Sequence, residues 1–116
     1  MSEKIIIYQK PTCSKCIATL NILKDSNKEF ESINYYEVPL TGYQLRELRD
    51  KGLSVHEMLR SDEPLARSMN LAARNLSDDE LIDIIVENPD LIQRPIVVRG
   101  DQAVLCRPPG NVLKLL

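Results

Sequence analysis

The first apolar run, Ile5-Ile6-Ile7-Tyr8, is short and continuous, which predicts a buried strand over Lys4 to Tyr8. Pro11 and Thr12 break it, and a helix is expected from about Cys13, with Thr12 as N-cap and Ile17, Leu20 and Leu23 on its inward face. Asn27-Lys28 closes that helix. Phe30 to Val38 reads as a second strand through Ile33, Tyr35 and Tyr36. Thr41 then caps a helix with Leu45 and Leu48 on one face, and Gly52 stops it. Two Ser-x-x-Glu capping boxes follow, Ser54 with Glu57 and Ser77 with Glu80, each marking a helix start. A short helix over Leu65 to Met69 lies between them. Ile96 to Arg99 and Ala103 to Cys106 are strands joined by Gly100-Asp101, the pattern of an antiparallel hairpin. A closing helix from Pro109 is expected to turn Val112, Leu113 and Leu116 inward.

The order is β-α-β, several helices, then β-β-α. It predicts an α/β fold of thioredoxin-like layout: a four-stranded mixed sheet with a helical insertion over about residues 41–88. A split-βαβ sheet is the alternative. The length of 116 residues fits one domain, 1–116, with one aliphatic interior, since Trp is absent and Phe occurs once.

Net charge is −2, so no global basic field attracts nucleic acid, and few aromatics are present for base stacking. No apolar run approaches the roughly 20 residues that span a bilayer, and the start of the chain lacks a signal-peptide pattern. A cytoplasmic monomer without membrane or nucleic-acid partners is the expectation.

Chemistry concentrates in Lys10-Pro11-Thr12-Cys13-Ser14-Lys15-Cys16. A thiol at a helix N-terminus meets unpaired N–H groups and the positive end of the macrodipole, both of which favour thiolate. Cys13 is therefore the candidate nucleophile. Cys16, one turn on, is a candidate resolving thiol. Lys10 and Lys15 are nearby cations or simply solvated lysines. Zinc would need Cys13, Cys16, Cys106 and His56 together, and their spacing lacks a second compact pair, so no metal is expected. Cys106 reads as a small buried strand residue and His56 as structural.

Arg60, Arg94 and Arg107 stand beside turns rather than on exposed helix faces. Arginine forks match tetrahedral oxyanions. Taken alone, each reads first as a solvated arginine, since most arginines are, and that reading is given to Arg46, Arg49, Arg67, Arg74 and Arg99. In a thioredoxin-like layout the residue before the third strand's proline, here Arg94 before Pro95, lies next to the cysteine pair, and that proline is the usual place for a cis bond.

Ile7-Tyr8 with Lys10-Pro11-Thr12-Cys13, Met58-Leu59-Arg60 with Glu63-Pro64, Leu91 to Val98 around Arg94-Pro95-Ile96, and Leu105-Cys106-Arg107-Pro108 run almost end to end. Together they resemble the glutaredoxin-type arsenate reductases and the related redox regulators. The resemblance implies that Cys13 attacks arsenate and that Arg60, Arg94 and Arg107 bind the oxyanion. It also implies glutathione as co-substrate, glutaredoxin or thioredoxin as electron donor, and no bound cofactor. The chain departs from the enzymes at Gln9, Lys10, Ser14 and Cys16. The second cysteine is a feature of regulators that bind RNA polymerase, so a redox-switched regulator is the alternative. A general oxidoreductase of glutathione disulfides is another.

Overall fold

The computed structural model describes residues 4–116. Strands β1 (Ile5–Gln9), β2 (Phe30–Asn34), β3 (Ile96–Arg99) and β4 (Gln102–Leu105) form one sheet in the order β2-β1-β3-β4. β1 runs parallel to β2, pairing Ile5 with Phe30 through Gln9 with Asn34. It runs antiparallel to β3, and β3 pairs with β4 as the expected hairpin, Ile96 opposite Leu105. The layout is the thioredoxin-like one, with the helical insertion between the halves.

Alternation along the strands gives the sheet two buried faces. Ile5, Ile7 and Val97 pack with Leu23 of α1 (Ser14–Asp25) and with Val112 and Leu115 of the closing segment. Ile96, Val98 and Ala103 face the insertion: α2 (Gly42–Asp50), α3 (Val55–Met58), α4 (Pro64–Ser68) and α5 (Asp78–Glu87). Leu45, Leu48, Met58, Leu81, Ile82 and Ile85 supply its apolar side. Thr41, Ser54 and Ser77 each cap a helix as expected, in full capping boxes with Gln44, Glu57 and Glu80. Gly52 follows α2 at φ 103°, a conformation that favours glycine.

Four local expectations need correction. Cys13, not Thr12, is the N-cap of α1. The inward face of that helix is Cys16, Thr19 and Leu23, while Ile17 is 50% exposed. Thr19 tolerates burial because its hydroxyl donates to the Lys15 carbonyl at 2.8 Å. β2 ends at Asn34, so Tyr35 and Tyr36 lie in the turn beyond it. The closing segment, Pro109–Leu115, is a 3-10 helix. Three residues per turn align Val112 with Leu115, and they leave Leu113 62% exposed.

Main-chain contacts tie the insertion back to the sheet side: the Ala103 N–H of β4 donates to the Lys51 carbonyl at 3.1 Å. Leu59 and Ile92 form an antiparallel bridge. The Arg60 N–H donates to the Leu91 carbonyl and the Gln93 N–H to the Met58 carbonyl, both at 2.7 Å. This stitch brings Arg60 alongside the segment that leads to Arg94. Among the described residues, no helix is long and apolar enough to cross a membrane.

Candidate active site

Cys13 stands where β1 has ended and α1 begins. Its backbone is extended (φ −88°, ψ 123°) and its N–H donates to the Lys10 carbonyl at 3.0 Å. An N-cap side chain meets the N–H groups of the second and third helical residues, here Lys15 and Cys16. The sulfur makes no full capping hydrogen bond, yet the field of these groups reaches it. Burial is the largest single influence on Cys13 and pushes its pKa up. The Cys16 thiol, the N–H groups of Cys16 and Lys15, and the Arg94 guanidinium pull it down, and together they prevail. Cys13 is partly exposed, and it gives up its proton more readily than an ordinary thiol.

Cys16 is the opposite kind of thiol. It is fully buried, and its pKa is pushed up to about 12, chiefly by burial. It serves Cys13 as a neutral S–H group. Cys106 is likewise buried, with a pKa pushed up to about 12 by burial and by nearby Cys16. His56 is exposed on α3, and among the described residues no three His, Cys, Asp or Glu side chains gather as metal ligands.

Arg94 approaches Cys13 from the other half of the chain, just before β3. Burial alone would favour loss of its proton. Tyr35, Tyr36 and Cys13 outweigh burial and hold the charge. Its Nε and Nη1 are buried and have no hydrogen-bond partner among the described residues. Unused donors on a buried cation are costly unless something fills them. The Arg94–Pro95 peptide is cis, as expected of that proline, and so is Arg107–Pro108, which was not anticipated.

The other two arginines occupy different places. Arg107 Nη1 donates to the Arg94 carbonyl at 3.1 Å. Arg107 also lines a shallow cavity of about 270 Å³ with Leu53, Glu57, Asn111 and Lys114. Arg60 pairs with Glu63 at 3.2 Å, both side chains about one-fifth exposed, and leaves its buried Nε without a partner. Arg46 and Arg49 pair with surface carboxylates, and Arg99 bonds the Leu115 carbonyl. The Lys10 ammonium sits 4.7 Å from the centre of the Tyr36 ring. A cavity of about 500 Å³ among Lys4, Lys28, Phe30 and Arg99 is at the opposite end of the sheet from Cys13. It has no part in this chemistry.

One site residue escaped the sequence reading. Tyr35 is 1% exposed, and its hydroxyl lies 3.5 Å from the Ile92 carbonyl. Its ring stacks on Tyr36, with centroids 5.0 Å apart. Burial pushes its pKa up to about 12, while Arg94 and Arg60 oppose the rise. The phenol thus feels the charges of Arg94 and Arg60. Its signal in the sequence was the Tyr35-Tyr36 pair just past the β2 apolar residues, which reads equally well as strand.

The chain has relatives along its full length. The ArsC family pattern matches residues 8–115. The chain is 41% identical to the uncharacterized protein YfgD of Escherichia coli K12, over 100% of this chain and 99% of YfgD. It is 39% identical to an arsenate reductase of the same organism, over 98% of this chain and 82% of the enzyme. The solved structure of an arsenate reductase from Vibrio cholerae superposes with a TM-score of 0.92 at 38% identity, covering 100% of both chains. The chain belongs to the ArsC family.

Proposed function

We propose that the protein reduces arsenate to arsenite, with Cys13 as nucleophile. The observation that carries the reading is the Arg94 guanidinium, whose buried Nε and Nη1 have no partner among the described residues, beside a thiol whose pKa is lowered. That pair suits a tetrahedral dianion: the cation binds it and the sulfur attacks its centre. Arg60 and Arg107 complete the clamp. Arg60 would exchange its contact with Glu63 for the anion, and Arg107 would contribute nitrogens beyond the one held by the Arg94 carbonyl. Full-length likeness to arsenate reductases supports the substrate.

The Cys13 thiolate attacks arsenic and forms an S–As bond as an oxygen leaves as water. Glutathione thiolate then attacks the Cys13 sulfur. The S–As bond breaks, its electron pair passes to arsenic, and As(V) becomes As(III). Arsenic acid, the Cys13 thiol and glutathione together give arsenious acid, a Cys13–glutathione disulfide and one water. A glutaredoxin or thioredoxin dithiol reduces the disulfide. Cys16, buried and neutral, stabilises the thiolate, and it would become the resolving thiol only after Cys13 is derivatised.

The test is arsenite release with glutathione and glutaredoxin for wild type, Cys13→Ser and Arg94→Ala. Loss with Cys13→Ser and a fall of about 10² or more in kcat/KM with Arg94→Ala are expected. Equal turnover in the three proteins overturns the proposal.

A further inference from the structure

We infer that the Tyr35 hydroxyl is the positioning group for Arg94, holding its guanidinium ahead of substrate so that Nε and Nη1 stay free for an oxyanion. The inference rests on the anion-site reading above and extends it to a residue of the β2 turn. Three observations meet at this point. Tyr35 is a buried tyrosine, where a phenol normally has a partner. Its O–H faces the Ile92 carbonyl at 3.5 Å, which leaves the oxygen lone pairs to accept from elsewhere. Two residues beyond Ile92 comes Arg94, whose buried guanidinium has no carboxylate partner among the described residues.

The rest of the neighbourhood limits how Tyr35 can move. Its ring stacks on Tyr36. The Tyr36 hydroxyl bonds the Asp90 carboxylate, and the Lys10 ammonium lies over the Tyr36 ring. Ile92 is itself fixed by its bridge to Leu59. The phenol oxygen is thus held from behind by the Tyr36 stack and by Ile92, and the Arg94 charge acts on it, opposing the rise of its pKa. A neutral oxygen is a better resting partner for Arg94 than a carboxylate. It orients the cation without cancelling its charge, so an incoming anion displaces no counter-ion from it.

The experiment compares wild type, Tyr35→Phe, Arg94→Ala and the double variant. Phe keeps the ring, its burial and its stack, and urea unfolding midpoints record that the fold is kept. Cys13 alkylation by iodoacetamide is followed against pH, with and without inorganic phosphate as a non-reducible probe. In Tyr35→Phe the phosphate concentration that half-protects Cys13 should rise about tenfold, the scale of one hydrogen bond to a charged group. The Cys13 alkylation pKa should rise in Tyr35→Phe, but not further when that change is added to Arg94→Ala. An equal rise in both backgrounds, or no rise in either, overturns the role of Tyr35. Wild-type Cys13 left unprotected by phosphate counts instead against the anion site, and the alkylation cycle still decides on Tyr35.

Discussion

The Arg107 guanidinium donates to the main-chain carbonyl of Arg94 at 3.1 Å, and one residue earlier the Cys106 N–H donates to the Pro95 carbonyl at 2.9 Å. The end of β4 therefore grips two consecutive carbonyls of the segment that carries the buried guanidinium. Arg107 supports Arg94 as well as standing near it. Arg107→Ala should lower stability by about 1–2 kcal/mol, the cost of a half-buried charged hydrogen bond. It should also weaken phosphate protection of Cys13. Arg107→Lys should restore less than half of either loss, because an ammonium lacks the planar fork. Urea unfolding and the alkylation assay check both; full rescue by lysine would show that only charge matters.

Among the three cysteines, only Cys13 should react quickly in the folded protein. Cys16 and Cys106 are fully buried. One equivalent of iodoacetamide should enter at neutral pH and three after unfolding. The Cys13 rate should show an apparent pKa below the ordinary thiol value of about 8.5. Cys16→Ala removes the S–H donor and should raise that pKa, whereas Cys16→Ser should recover most of the shift. Mass spectrometry of the labelled protein reads both outcomes.

Alkaline stability follows from the same thiols. Cys13 has a lowered folded pKa, so its contribution is fully present above the unfolded value and fades as pH falls through the folded one. Cys16 and Cys106 have folded pKa values pushed up to about 12. Their contributions are intact below about 8.5 and are lost as pH rises from there, because the unfolded chain ionises first. Stability should therefore fall between about pH 8.5 and 12. Replacing Cys106 with Ala should flatten that slope by up to about 1.4 kcal/mol per pH unit. Urea midpoints at half-unit pH steps measure it; an unchanged slope would mean that Cys106 ionises normally in the fold.

The two serine capping boxes should separate stability from site geometry. Ser54→Ala and Ser77→Ala should each cost about 1 kcal/mol. α3 leads straight into Leu59 and Arg60, so Ser54→Ala should also weaken phosphate protection of Cys13. Ser77 caps α5, which takes no part in the main-chain hydrogen bonds of the stitch to Ile92, and its loss should leave protection unchanged. Equal effects on protection would show that overall loosening, not delivery of Arg60, is responsible.

Much of this fold was written in local signals. The capping boxes, Gly52 and the Gly100-Asp101 turn act over three or four residues, so their patterns survive in one dimension. Cys13 was legible for the same reason, since a strand-to-helix junction is a local event. Arg94 was legible only through its proline neighbour and the resemblance. Tyr35 was not, because its role depends on Ile92 and Arg94, which reach it through the sheet and the insertion. The inward face of α1 was misjudged because hydrophobicity favours Ile17, while packing against the sheet selects Cys16 and Thr19. At the C-terminus an α-helical period was assumed, and a 3-10 segment changed which leucine turned inward.

The strand order also bears on how this chain emerges during synthesis. β1 is made first, but its partner on one edge, β3, arrives some ninety residues later, about five to twenty seconds at ribosomal speeds. In that interval the reactive sulfur is already outside without the guanidinium that sharpens it. The nascent chain thus carries a blunted nucleophile until its last hairpin zips onto the central strand, and full reactivity arrives together with the finished fold.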